Sequence, residues 1–168
     1  MKGDSMAAKW TTREICTTAM LAAVVCVLTV VPRIPIPLGY AHLGDAAVFI
    51  LGLKYGLRNG GTAAALGSGL ADILGGFPIW AGPTLIIKFL MAWIVYKLAP
   101  KSEVQGWNRW LRLTAAFTAS GLWLAIGYTV AGAALYDSWA AGMASLPGLL
   151  AEGAVNVLVA LAVCLKIK

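Results

Sequence analysis

Six apolar stretches, at residues 12–31, 42–57, 62–75, 83–98, 110–135 and 147–165, alternate along the chain with short breaks rich in proline, glycine or charge. Each stretch reads as a helix. Thr11 or Thr12 can cap the first, and Pro32, Pro35 and Pro37 prevent it from continuing, which leaves residues 32–40 as an extended loop. A short basic turn at residues 58–61 ends the second, and the third is rich in alanine and glycine. The fourth opens at Pro83 and runs into a polar loop at 100–108; the sixth opens at Pro147. The second and third stretches fall short of the ~20 residues of a typical membrane span, so neighbours or ordered loops must shelter them. The pattern predicts an all-α integral membrane protein: one domain over residues 1–168, built as a compact bundle of six transmembrane helices.

Composition supports a bilayer as the solvent. Of 168 residues, 60% are hydrophobic and 12% charged, against roughly 25% charged in soluble domains; mean hydropathy is +0.81. That leaves no room for a soluble catalytic domain. The net charge of +6 forms no basic patch interleaved with polar residues, so a nucleic-acid partner is not expected. Instead the cations punctuate the apolar stretches. Lys2, Lys9, Arg13, Lys54, Arg58, Lys97, Lys101, Arg109, Arg112, Lys166 and Lys168, eleven of thirteen, fall on one side of a six-helix topology. By the positive-inside rule that side, with both termini, is cytoplasmic. The exceptions are Arg33, in the first external loop, and Lys88, inside the fourth helix. The first apolar run lacks a small-residue cleavage site and is expected to be retained. Cys16, Cys26 and Cys164 lie inside apolar helices without metal-ligand spacing and read as core-filling residues.

Against this background the few hydrophilic intramembrane residues stand out, because an ionisable side chain there costs several kcal/mol unless it is partnered or wet. Asp72 and Lys88 flank the turn at residues 75–83; Asp72 lies about 5 Å before it and Lys88 about 7 Å beyond, at ~1.5 Å per residue. His42 and Asp45 share one face at the start of the second helix, and Glu152 and Asn156 share one on the sixth. Trp80 lies in the connection between the third and fourth helices, with Trp123 and Tyr128 on the fifth. All fall in the outer half, where a pocket open to the outside needs them; a through-pore would need polar residues along its whole length. Each has a structural alternative. Asp72 could pair with Lys88, Glu152 with Lys88 or Arg33, His42 and Asp45 could cap a helix, and Asn156 could join helices. The aromatic residues could form an interfacial belt. On the first helix, Ala19 and Ala23, with Ala22 alongside, form a small-residue strip that another helix can approach closely, whether a partner's or one of this chain's own.

The segments IPIPLGYAHLGDAAVFILG, GSGLADILGG, PTLIIKFLMAWIVYKL and EGAVNVLVA resemble the substrate-binding S components of energy-coupling factor (ECF) transporters, in the branch of vitamin-precursor and riboflavin-type members. The resemblance covers nearly the whole chain. It implies a six-helix bundle in a prokaryotic plasma membrane, with a vitamin pocket near the extracellular surface. Helices 4 to 6 and the 1–2 and 3–4 loops would line that pocket. It also implies a coupling subunit docking on Ala19, Ala22 and Ala23, and two separate ATPase subunits. The chain itself would be no enzyme, and indeed no G-x-x-x-x-G-K-[ST] phosphate loop occurs in it. Nickel and cobalt members rely on an N-terminal Met-His site; here the N-terminus reads MKGDSM and His42 is the lone histidine, so neither a metal nor a cofactor is expected. Lys88, Glu152, Asn156, Asp72, His42, Asp45, Trp80, Tyr128 and Trp123 suit a small aromatic heterocycle bearing hydroxyls. Hydroxymethylpyrimidine or a pyridoxine-like vitamer is the first expectation, with riboflavin and a corrinoid as the other candidates. The competing reading is a stand-alone ion-coupled carrier using Asp72, Lys88 and Glu152. An integral-membrane enzyme is disfavoured, for want of a metal cluster or a nucleophile–base pair.

Overall fold

A computed structural model of the chain describes residues 9–31, 33–100 and 106–166; Lys2, Lys101 and Lys168 of the charge pattern, and the MKGDSM terminus, lie outside them. Among the described residues there are six α-helices: α1 (Thr12–Val30), α2 (Gly44–Tyr55), α3 (Thr62–Leu74), α4 (Ala81–Leu98), α5 (Gly106–Leu135) and α6 (Trp139–Lys166). The four segments Thr12–Val30, Pro78–Leu98, Gly106–Leu135 and Trp139–Lys166 are long and apolar enough to cross a membrane.

Local chemistry explains the boundaries. Thr11 caps α1 reciprocally with Glu14: the Glu14 N–H donates to Thr11 Oγ1 at 3.2 Å, and the Thr11 N–H donates to Glu14 Oε2 at 2.8 Å. The expected extended loop is instead a small hairpin, β1 (Ile34–Ile36) against β2 (Gly39–Ala41), with Ile34 opposite Ala41 and Ile36 opposite Gly39. Pro37 followed by Leu38 at φ 66° supplies the tight reversal, proline first and positive φ second. The expected short basic turn at residues 58–61 falls within a π-helical turn, Gly56–Gly61, opened by Gly56 at φ 67°. Helix α6 begins eight residues ahead of the expected Pro147, which lies inside it. Ser138 starts it, accepting the Ala141 N–H at 3.3 Å. Pro147 therefore does not start the helix, which packs against α5.

The packing is inside-out relative to a soluble domain. Met20 on α1 and Leu158 on α6 are 71% and 68% exposed, while Asp45 and Asn156 are fully buried and Lys88 is 1% exposed. Apolar surface outside and charge inside is what lipid selects. The apolar core centres on Phe49 of α2 stacked on Phe117 of α5 at 5.3 Å, with Met91 and Val95 of α4 beside them. Gly67 of α3 lets α1 approach at Ala22; a β-carbon there would collide with the Ala22 carbonyl oxygen. Ala22 therefore faces α3, whereas Ala19 and Ala23 remain exposed. The hairpin, the 3-10 turn Pro78–Trp80 and the α5–α6 connection share one end of the bundle; Lys54, Arg58, Lys97, Arg109 and Lys166 mark the other.

Candidate functional site

At the hairpin end a cavity of about 490 Å³, counting its open mouth, lies between the hairpin and α3, α4, α5 and α6. Of the sequence-predicted residues, His42, Asp72, Trp80, Lys88, Tyr128 and Glu152 line it.

The buried charges pair differently from the sequence alternatives. Lys88 does not bind Asp72; its Nζ donates to Asp45 Oδ1 in a buried ion pair, 5.3 Å from the centre of the Tyr128 ring. Asp45 thus stands behind the lining, as Lys88's counter-ion, and is not a water-exposed cap. Glu152 pairs with neither Lys88 nor Arg33 but anchors the hairpin: Oε1 accepts the His42 N–H at 3.0 Å and lies 3.3 Å from His42 Nδ1. Nδ1 accepts the Gly44 N–H at 3.1 Å.

Asn156 also stands behind the wall. Its Oδ1 accepts the Ala46 N–H at 2.9 Å, and its Nδ2 donates to the carbonyls of His42 at 2.7 Å and Glu152 at 2.9 Å. One amide thereby joins α6 to the start of α2. Trp123 is absent from the lining; its Nε1 donates to the Ile87 carbonyl at 3.2 Å and fastens α5 to α4. Trp80 packs against Tyr128 and Tyr136, with ring centres 5.7 and 6.2 Å apart. The Tyr128 hydroxyl shares a hydrogen bond with Thr84 Oγ1 at 2.9 Å.

Sequence reasoning missed Tyr40, Phe77 and Thr84. Tyr40 donates to Asp72 Oδ1 at 3.2 Å, and its ring packs 5.5 Å from Phe77 and 4.5 Å beneath the Arg33 guanidinium. Burial, then the Asp72 charge, pushes its phenol up to about 12, which keeps it protonated and donating. An aromatic residue two positions before His42, in a proline-rich loop, was the available signal.

Among the described residues, His42, Asp45 and Glu152 bring ligand atoms within 4.8 Å of one another. Three such side chains could in principle hold a cation. Here each is already engaged: Asp45 by Lys88, His42 Nδ1 by the Gly44 N–H, and Glu152 by the His42 N–H. The Lys88 ammonium thus already supplies a positive charge to this cluster, while Asp45 Oδ2 has no hydrogen-bond partner among the described residues.

What the geometry offers is a recess with aromatic walls, acceptors from two carboxylates, and a lysine held in place. Aromatic walls with a few fixed polar groups are what a pocket for a small polar aromatic molecule requires. Residues 9–168 match the family described as "ECF-type riboflavin transporter, S component". An uncharacterized protein in the gap 3′ region of Pyrococcus woesei is 33% identical over 114 residues, spanning 67% of this chain and 73% of the relative. That family is one of transporter subunits, not of enzymes. A helical bundle with apolar flanks and a polar end pocket, matched over almost its entire length, belongs to the S components of ECF-type transporters.

Proposed function

We propose that the chain captures a vitamin or vitamin precursor in the hairpin-end pocket, and delivers it through a complex with a transmembrane coupling subunit and two ATPases. In this reading residues 1–168 form one membrane domain with six spans, the shorter α2 and α3 being completed by the π-helical turn and the hairpin. In the same reading both termini are cytoplasmic in a prokaryotic cell and the pocket opens outside, which the basic residues gathered at the opposite end support. The observation that carries the reading is the coincidence of aromatic rings, Glu152, Asp72 and Lys88 in one recess at the end away from those cations.

The family's description brings riboflavin to the head of the candidates, ahead of hydroxymethylpyrimidine and a pyridoxine-like vitamer. All three are flat heterocycles suited to walls built from Trp80, Tyr128 and Phe77. Native mass spectrometry of protein purified in mild detergent should reveal a co-purifying heterocycle of this class. Bare protein that also fails to bind any of the three on addition would remove the proposal. Uptake into vesicles by this chain alone, abolished by an uncoupler, would instead mark an ion-coupled carrier.

Ala19 and Ala23, exposed on α1, supply the flat strip on which the coupling subunit would dock. Ala19→Trp should leave ligand affinity within about twofold and abolish co-purification of the coupling subunit, because an indole prevents close helix approach. Unchanged assembly would reject α1 as the docking face. Ala22, turned toward α3, is expected to act through the fold alone.

A further inference from the structure

We propose that Trp10, Glu14 and Arg58 form a clasp that fixes the basic end of α1, and with it the position in which Ala19 and Ala23 meet the coupling subunit. This rests on the reading of α1 as the docking helix and deepens it, by naming what holds that helix in place.

A cation is buried at the end of the bundle where cations ordinarily reach water. The Arg58 side chain is 7% exposed, although a long arginine there could extend its head to solvent. It turns toward α1 instead. Its Nη2 lies 3.7 Å from Glu14 Oε2, and its guanidinium lies 4.7 Å from the centre of the Trp10 ring. The same Glu14 oxygen accepts the Thr11 N–H at 2.8 Å and the Thr11 hydroxyl at 3.0 Å. One carboxylate thus closes the first turn of α1 and faces the α2–α3 connection.

That connection is shaped to deliver the arginine. Gly56 opens the π-helical turn at φ 67°, and a β-carbon on Gly60 would lie 2.2 Å from the Leu51 carbonyl oxygen. Glycine at both positions lets the turn fold back onto α2 and carry Arg58 toward α1. Farther along, α1 is seated against glycines: Ala22 against Gly67, and Thr29 against Gly44. Glu14 lies about 12 Å from Ala22 along the axis, at ~1.5 Å per residue. Thr18, between them, is buried, and its hydroxyl has no hydrogen-bond partner among the described residues. The clasp therefore supplies the polar contact that opposes a swing of the near end of α1. Ala19 lies between Glu14 and Ala22, so the clasp sets where that part of the strip stands.

The test is Arg58→Met, which keeps an unbranched stem and removes the charge that Glu14 and Trp10 both contact. The Glu14 side chain, 34% exposed, is left to water, so no buried charge is stranded. Hydrogen exchange in the purified full chain should quicken about fivefold at residues 11–18 and stay unchanged in α2. Riboflavin affinity, or that of whichever candidate heterocycle binds, should stay within about twofold, the pocket lying at the other end. Co-purification of the coupling subunit, co-expressed with its ATPases, should fall at least about fivefold, and Arg58→Lys should restore most of it. If Arg58→Met does not fold, Glu14→Gln carries the same readings, since glutamine keeps the capping box and loses only the charge. Unchanged exchange at residues 11–18, or undiminished assembly despite faster exchange, overturns the proposal. A parallel loss of ligand affinity and assembly would assign Arg58 to the fold as a whole and overturn it likewise. If Ala19→Trp leaves assembly intact, the docking reading fails and the clasp's role falls with it; if Ala19→Trp blocks assembly and Arg58→Met does not, the clasp alone fails.

Discussion

Lys88→Met should abolish ligand binding and also destabilise the protein by about 3–5 kcal/mol, the cost of leaving one member of a buried ion pair uncompensated. Seen from the sequence, Lys88→Ala removes a pocket contact from a fold that survives. The structure alters that expectation, because the ammonium neutralises Asp45, a residue with no exposed surface. The two effects are separable. In the double variant Lys88→Met/Asp45→Asn no stranded charge remains, so thermal stability in detergent should return most of the way while ligand affinity stays lost. A single Lys88→Met variant as stable as the unaltered protein would show that Asp45 has another cation or carries a proton. Recovery of affinity in the double variant would show that the lysine touches no ligand.

Asn156→Leu is the second change with a large expected effect. Leucine fits the volume but leaves the Ala46 N–H and the His42 carbonyl without partners in a buried setting. Each unsatisfied group costs roughly 1–3 kcal/mol. The loss is directional, because both groups belong to the segment that runs from the hairpin into α2. Hydrogen exchange should therefore accelerate at residues 39–46 more than in α5. Affinity should fall although Asn156 itself is not in the lining. Uniform protection, or loss confined to α6, would remove its assigned role as the clamp of the hairpin end.

The helices were legible because lipid imposes a simple rule: apolar runs of sufficient length, broken by proline, glycine and charge. Boundaries failed where the rule is silent. Pro147 looked like a helix start because proline favours a first turn, yet Ser138 had already capped the chain eight residues earlier. The hairpin was hidden because three prolines suggest extension without revealing that Pro37–Leu38 reverses the chain.

Depth counting had put His42, Asp72, Trp80, Lys88, Tyr128 and Glu152 at one level, and these six line one cavity. It could not rank partners. Asp45 and Asp72 lie at similar depth, and only the rotation of α2 and α3 about their axes decides which one faces Lys88. Trp123 shared the apparent depth of Tyr128 but points its Nε1 at a carbonyl of α4. Tyr40 and Thr84 were overlooked because a hydroxyl carries no charge to flag it, although it completes the bonding of Asp72 and Tyr128.

The central claim is that the recess walled by the hairpin and α3 to α6 is where the transported molecule rests. Equilibrium titration of the purified chain and its Glu152→Ala variant, with riboflavin first and hydroxymethylpyrimidine second, tests it most directly, with circular dichroism confirming that the variant is folded. The account predicts saturable one-to-one binding by the unaltered chain and a loss of at least about tenfold in a folded Glu152→Ala variant, a single charge-assisted contact being worth ~1.5–3 kcal/mol. Identical affinities in two folded proteins would place the ligand elsewhere and contradict the account.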